Sequence, residues 1–306
     1  MTSRGGMGVG RGGSGRRMPA AELGLAFLAG VALMGPSRAA PLQAAPLRAA
    51  ATPLWVGDTR QQLEAKLSLA QQPPAGETLV RLARQLLGRP YNAFSLDQEP
   101  QERLRLDLTA FDCALLVEQL LAMVHSRSVT DFSQQVRRLR YGDGPVDYCT
   151  RNHYFTIWAR NAERLGLVKD ITASLPGATS RGRRLLFMSS HPNSYRPMRQ
   201  PRARQCITAL ERDLIVKQSY IPIRALGGVA AQLRSGDIFA LVTAVDGLDV
   251  THTGFLERSG SGLHAIHAAP KRGVIRSSDF VRYAASVEDV VGISILRPQP
   301  AASTKR

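Results

Sequence analysis

The sequence predicts an α+β protein in which helices come first and antiparallel strands follow. Three observations carry this expectation. Apolar residues recur at helical spacing in the first half, most clearly at Leu115, Leu116, Leu120 and Val124. From residue 236 the pattern changes to short strand-forming runs separated by turn signals such as Asp246-Gly247. A lone cysteine, Cys113, stands where the most apolar helix begins, and two histidine-bearing strands come much later. A cysteine-bearing helix packed on an antiparallel sheet is the arrangement expected.

Residues 1–45 read as an export signal. A basic, Gly-rich start ends in Arg16-Arg17, an apolar stretch runs from Leu23 to Met34, and small-residue sites follow at Ser37-Arg38-Ala39 and Ala44-Ala45. That stretch falls short of the ~20 apolar residues a spanning helix needs, so an uncleaved anchor is the second reading. The expected location is the periplasm or cell envelope, with no stable membrane insertion after cleavage. Residues 46–74 read as an Ala/Pro-rich linker and an N-terminal extension with a short helix between Trp55 and Ala70. From Glu77 to Leu87, the residues Leu79, Val80, Ala83, Leu86 and Leu87 form one apolar helical face, which Gly88-Arg89-Pro90 terminates. Residues 92–110 read as a polar loop with a short strand within 104–108.

Asp112 is suited to cap the helix that Cys113 opens, because its carboxylate can accept from an otherwise unpaired backbone N–H. A thiol at that position feels the positive end of the helix dipole, which favours thiolate. A buried structural cysteine is the competing reading. Downstream, Phe132 to Leu139 forms a modest amphipathic helix. The most aromatic passage follows: Tyr141, Tyr148, Tyr154, Phe155 and Trp158 interleave with Arg151, Asn152 and His153. Residues 176–205 are rich in Gly, Ser, Pro and Arg and read mostly as loop. Ile221-Pro222-Ile223 reads as an edge strand because proline cannot donate to a ladder. The strands Ile238 to Val242, Val250 to Leu256, Leu263 to Ala268, Val274 to Ile275 and Val291 to Leu296 read as a meander of hairpins. A disordered tail is expected over 299–306.

The chain has 306 residues and a net charge of +16, which is still +12 when residues 1–45 are set aside. This length supports one sizeable core. The charge implies an anionic partner, which an acidic wall polymer, a membrane surface or nucleic acid would satisfy. The basic residues are scattered and no nucleic-acid motif accompanies them, so no nucleic-acid partner is expected. Three cysteines make no disulfide framework. If one is a free nucleophile, Cys149 and Cys206 remain to pair, though nothing in the sequence requires it.

Thiol hydrolases need a base beside the sulfur and a third polar group to orient that base. The candidates are His252 in Val250-Thr251-His252-Thr253-Gly254-Phe255 and two histidines in Leu263-His264-Ala265-Ile266-His267-Ala268. Side chains alternate along a strand, so His264 and His267 point to opposite faces and only one can share that of His252. The turn between the strands does not settle which.

Asp112-Cys113 opening a helix, Gly236-Asp237 opening a strand, His252-Thr253-Gly254-Phe255 and Ile266-His267-Ala268 occur in an order that resembles the NlpC-type cell-wall hydrolases. Tyr141-Gly142-Asp143-Gly144, Arg151-Asn152-His153-Tyr154-Phe155 and Asp246-Gly247-Leu248-Asp249 resemble a narrower branch, the N-acetylmuramoyl-L-alanine amidase-like proteins. The resemblance covers about residues 75–298, the expected catalytic domain. It implies a papain-like fold, with Cys113 as nucleophile, His252 as general base and His267, at the Ile-His-Ala position, as the group that orients it. Gly88-Arg89-Pro90-Tyr91 matches the motif that shapes the family's substrate cleft, whereas Asn92-Ala93-Phe94 departs from the glycines that relatives carry there. The substrate-binding set expected is Tyr91, Arg151, His153 and Tyr154, with Arg151 suited to a substrate carboxylate and Tyr148, Tyr154 and Trp158 to sugar faces or to the core.

The implied function is cleavage of the N-acetylmuramoyl–L-alanine amide of peptidoglycan or muropeptides through a cysteine acyl-enzyme, with no cofactor. A γ-D-glutamyl–diamino acid endopeptidase is the alternative on the same stem peptide. A zinc amidase using His252, His264, His267 and Asp249 is a further rival, and a non-enzymatic basic binding protein is another. The sequence leaves the oligomeric state open.

Overall fold

The computed structural model describes residues 52–300; the export segment expected over 1–45 and residues 301–306 lie outside them. The chain opens with β1 (Leu54–Trp55), α1 (Thr59–Ala70), α2 (Ala75–Arg84), β2 (Arg105–Leu106), α3 (Cys113–Val124), α4 (Val129–Tyr141) and α5 (Phe155–Arg164). Next come β3 (Val168–Asp170), β4 (Thr179–Arg184), α6 (Phe187–Ser190), α7 (Pro201–Glu211), β5 (Ile215–Pro222) and α8 (Leu226–Val229). Then β6 (Ile238–Thr243), β7 (Val250–Ser259), β8 (Gly262–Ala269), β9 (Gly273–Arg276), α9 (Phe280–Ser286) and β10 (Val290–Pro298) complete it.

Every residue of α3 from Leu115 to Val124 is buried. The helix is therefore the centre of the helical layer rather than a surface element, which its near-continuous apolar sequence reflects. Removing one of its core side chains, as in Leu120→Ala, would cost about 2–5 kcal/mol. Its one internal charge, Glu118, is matched by the buried Arg140 of α4, whose Nε donates to Glu118 Oε1 at 2.9 Å and whose Nη1 donates to Arg105 O at 2.9 Å. The compact unit begins earlier than residue 75. Leu63 and Ala70 of α1 belong to the same core as α3, and Thr59 Oγ1 accepts from Leu108 N at 2.8 Å.

The main sheet has strand order β4-β5-β10-β6-β7-β8-β9, with β3 beside the far end of β10. It is antiparallel, and α3 packs on it as expected. Strand alternation divides the core into two. Ile238, Phe255 and Ile266 join the α3 layer, whereas Phe239, Leu241, Leu256 and Ala265 pack with Phe280 and Ala284 of α9 on the other side. Burial on both faces explains why β6 reads as an unbroken apolar run.

Four expectations change. The meander holds through β9, but β10 returns through α9 to lie against β6. A short helix capped by Asp279, which accepts from Arg282 N at 2.9 Å, makes that return. β5 is interior, and its proline is tolerated because Pro222 is the last strand residue, beyond the Thr179↔Tyr220 end of the β4 ladder. Residues 176–205 hold β4, α6 and the start of α7. Their arginines hid this: Arg181 donates to Thr243 O at 2.6 Å and Arg183 to Leu248 O at 3.0 Å, so they bind the turn after β6 rather than solvent. The expected tail is ordered through residue 300, with Gln299 N donating to Leu167 O at 2.9 Å.

Candidate active site

Asp112 caps α3 as expected, its Oδ1 accepting from Leu115 N at 2.8 Å. Cys113 occupies the first helical position, is the free cysteine among the described residues and keeps partial exposure. The dipole expectation is reversed by its surroundings. Burial, and then the Asp112 carboxyl, push the thiol up to about 12, outweighing the backbone amides of Thr253, Ala114 and Cys113 that favour the charged sulfur. Asp112 is itself pushed up to about 6, chiefly by burial.

The histidines are sorted by register. β7 and β8 pair from Phe255↔Ile266 to Ser259↔Gly262. One step beyond the ladder, Gly254 lies against His267: a Cβ there would stand 2.7 Å from His267 Cβ and 2.8 Å from Phe239 Cε1. His252, two residues before Gly254, therefore shares its facing with His267, while His264, opposite Glu257, has the other. His252 Nε2 lies 2.7 Å from His267 Nδ1, and His264 Nδ1 is bound instead to Ser277 O at 3.1 Å. The glycine provides the space in which one imidazole reaches diagonally to the other. Burial, and then the neighbouring His267, hold His252 down to about 3; burial and Arg272 hold His267 to about 4. At neutral pH both rings are uncharged and the thiol keeps its proton.

Cys113, His252 and Thr253 line one cavity of about 210 Å³, together with Asp112, Arg151 and His153. The expected binding residues divide. Tyr91 is half-buried beside the sulfur, and burial, then the charges of Cys113 and Asp112, push its phenol up to about 12. It therefore remains a neutral donor. Arg151 borders the cavity, but its guanidinium is occupied: Nε donates to Glu102 at 3.0 Å and Nη1 to Asp97 at 2.8 Å, over the Tyr148 ring. A free fork for a substrate carboxylate is not what the structure contains. His153 Nε2 bonds Tyr148 O at 2.6 Å, and burial holds its ring down to about 3. Tyr154 is buried with its hydroxyl on Glu211 at 2.5 Å, and Tyr148 and Trp158 are buried too. Tyr148 packs in the core, whereas Tyr154 and Trp158 line the same cavity although little of either ring is exposed.

Sequence reasoning missed Tyr283, whose ring lies 4.6 Å from that of His267 and whose phenol is pushed up chiefly by burial. The Asp279 cap and the i,i+4 pair Phe280/Ala284 were the signals for its helix. Asp249 accepts from Thr156 N at 2.7 Å and from Val250 N at 2.9 Å, so it fixes the start of α5. With Asp249 so bound and His264 turned away, the four zinc donors considered from the sequence do not converge. Among the described residues no cluster of three or more His, Cys, Asp or Glu suits a metal ion. Cys149 and Cys206 form a disulfide that ties the segment before α5 to α7. No helix among the described residues is long and apolar enough to cross a membrane.

The N-acetylmuramoyl-L-alanine amidase-like family model matches residues 81–293. Among solved structures, an N-acetylmuramoyl-L-alanine amidase from Bacteroides uniformis ATCC 8492 is 28% identical, with a TM-score of 0.69 over 73% of this chain and 98% of that one. A Bacteroides fragilis protein provisionally named a xylanase is 30% identical, with a TM-score of 0.65 over 70% and 98% of the two chains. A Legionella pneumophila protein shares the fold at 20% identity, with a TM-score of 0.64 over 79% and 94%. No curated protein matches the chain.

Proposed function

The chain belongs to the N-acetylmuramoyl-L-alanine amidase-like family, and from that premise we propose that it is a thiol-dependent peptidoglycan amidase, cleaving the amide between muramic acid and L-alanine. The observation that carries this reading is the sharing of one cavity by Cys113 and His252, with His252 bonded to His267. In that array the Nε2–H of His252 donates to His267 Nδ1, leaving Nδ1 of His252 as the base.

The sulfur attacks the lactyl carbonyl carbon as its proton passes to His252. Because sulfur and imidazole are both neutral at rest, proton transfer accompanies attack rather than preceding it. The oxyanion is held by backbone N–H groups at the start of α3, with the Tyr91 phenol as a further donor. His252 then protonates the leaving L-alanine nitrogen, the C–N bond breaks and a thioester remains. Water, deprotonated by His252, attacks the thioester; the lactyl carboxylate leaves and the thiol regains its proton. His267 accepts the hydrogen bond of the imidazolium in both halves. A glycosidase would need two carboxylates flanking the bond; here Asp112 caps α3, Asp249 holds α5 and Glu118 pairs with Arg140.

The disulfide supports export, because such bonds persist in oxidising compartments. Residues 1–45 are the export signal in this reading, and peptidoglycan in the envelope is the partner. The test is digestion of purified sacculi and muropeptides by the wild type and by Cys113→Ala, with products identified by mass. Free stem peptide plus intact glycan from the wild type, and neither from the variant, is expected. Fragments ending in L-Ala-D-Glu would mean that the γ-D-glutamyl bond is cut instead. Undiminished cleavage by Cys113→Ala would remove the thiol mechanism.

A further inference from the structure

The loop that follows Tyr91 carries a side chain that neither the core nor the proposed reaction uses. Phe94 is 57% exposed and holds a left-handed backbone, with φ 55° and ψ 26°. A bulky residue rarely adopts that conformation, and it persists only where its surroundings impose it. Here they do. Asn92 N donates to Phe111 O at 3.0 Å and Asp97 N to Phe94 O at 2.9 Å. Beyond Phe94, Arg151 grips Asp97 at 2.8 Å, and Arg196 donates to Gln98 O at 2.9 Å. The buried arginine expected to meet substrate instead anchors the loop that presents this ring.

Tyr195, from the segment between α6 and α7, meets Phe94 edge-to-face, with centroids 6.4 Å apart and planes at 83°. The loop runs from Tyr91, beside the sulfur, to Leu96, which lines the catalytic cavity. Phe94 thus stands two residues before Leu96, on the loop that edges the cavity. Its surroundings are polar: Asn92, Gln98 and Arg196 flank it. An open aromatic face among hydrogen-bonding groups matches a pyranose, which presents C–H bonds on its face and hydroxyl and amide groups around its rim. The electron-rich face of the ring attracts those C–H hydrogens.

We propose that Phe94, backed by Tyr195, is a stacking platform for an N-acetylhexosamine of the glycan strand, next to the muramic acid whose amide lies at Cys113. The proposal rests on the wall-hydrolase reading for its substrate class but not on which stem bond is cut. It also gives the departure at Asn92-Ala93-Phe94 a purpose.

The experiment measures binding of the peptide-free β-1,4-linked N-acetylglucosamine tetramer to the Cys113→Ala protein by NMR titration. Phe94→Gly in that background is expected to weaken binding about five-fold or more, while Phe94→Trp retains it. Glycine accepts the left-handed backbone freely, so Phe94→Gly should raise Tm by about a degree or more, which separates loss of the platform from loss of the fold. Equal binding with and without the ring, or no binding by the Phe94-containing protein, would overturn the platform whatever the digestion of sacculi shows. Retained tetramer binding that depends on Phe94, with no cleavage of sacculi, would leave the platform standing and remove the amidase.

Discussion

His252 Nε2 and His267 Nδ1 lie 2.7 Å apart, a diagonal contact across the β7–β8 ladder that exists because position 254 has no side chain. A methyl group at Gly254 would collide with His267 Cβ, with Ile266 O at 2.7 Å and with Phe239. Gly254→Ala should therefore displace His267 and lower kcat/KM about 100-fold. The cost in stability should be only about 1–3 kcal/mol, read from urea unfolding. A fully active Gly254→Ala enzyme would show that the His–His contact is dispensable.

Asp112 caps the cysteine helix but works against ionisation of the sulfur. Asparagine caps equally well without the charge. Asp112→Asn should therefore speed iodoacetamide labelling of Cys113 at pH 8 by about threefold or more, since thiolate is the reacting species. Slower labelling would mean that the carboxylate activates the thiol.

Arg140 and Glu118 are both almost wholly buried and bonded to each other. Removing one partner leaves the other charge uncompensated, so Arg140→Met should cost about 3–5 kcal/mol. Replacing both, as in Glu118→Leu with Arg140→Met, should recover most of that loss. The urea midpoints of the three proteins test this, and equal midpoints for single and double variants would contradict it.

Acid should weaken the fold through its histidines. Burial holds His252 and His153 to about 3 and His125 and His267 to about 4. Unfolded histidines bind a proton near pH 6.5. Between about 6.5 and 4 the unfolded chain therefore binds more protons than the folded one, and stability falls as pH drops. The urea midpoint should decline from pH 7 to pH 5, and His125→Phe, remote from the cavity, should flatten that decline. A midpoint unchanged across this range would mean that these rings are not held neutral.

The cap at Asp112, the start of α3 at Cys113 and the runs of β6 to β8 are legible in the sequence because each depends on neighbours within a few residues. Side-chain alternation also established that His264 and His267 could not both face His252. His267 was chosen over His264 through the family's Ile-His-Ala position and not through periodicity, while the occupation of Arg151 by Glu102 and Asp97 and the burial of Tyr148, Tyr154 and Trp158 were not legible, because each depends on groups brought from distant parts of the chain. The arginines of β4 read as loop charge for the same reason: the carbonyls they bind lie about 60 residues away. By itself the sequence determined the residue types of the proposed thiol site and the order of their elements, since local periodicity and capping are short-range physics. Only the tertiary structure decided which charges neutralise one another and which aromatic ring stays open, since strand register and burial are settled by contacts across the whole chain.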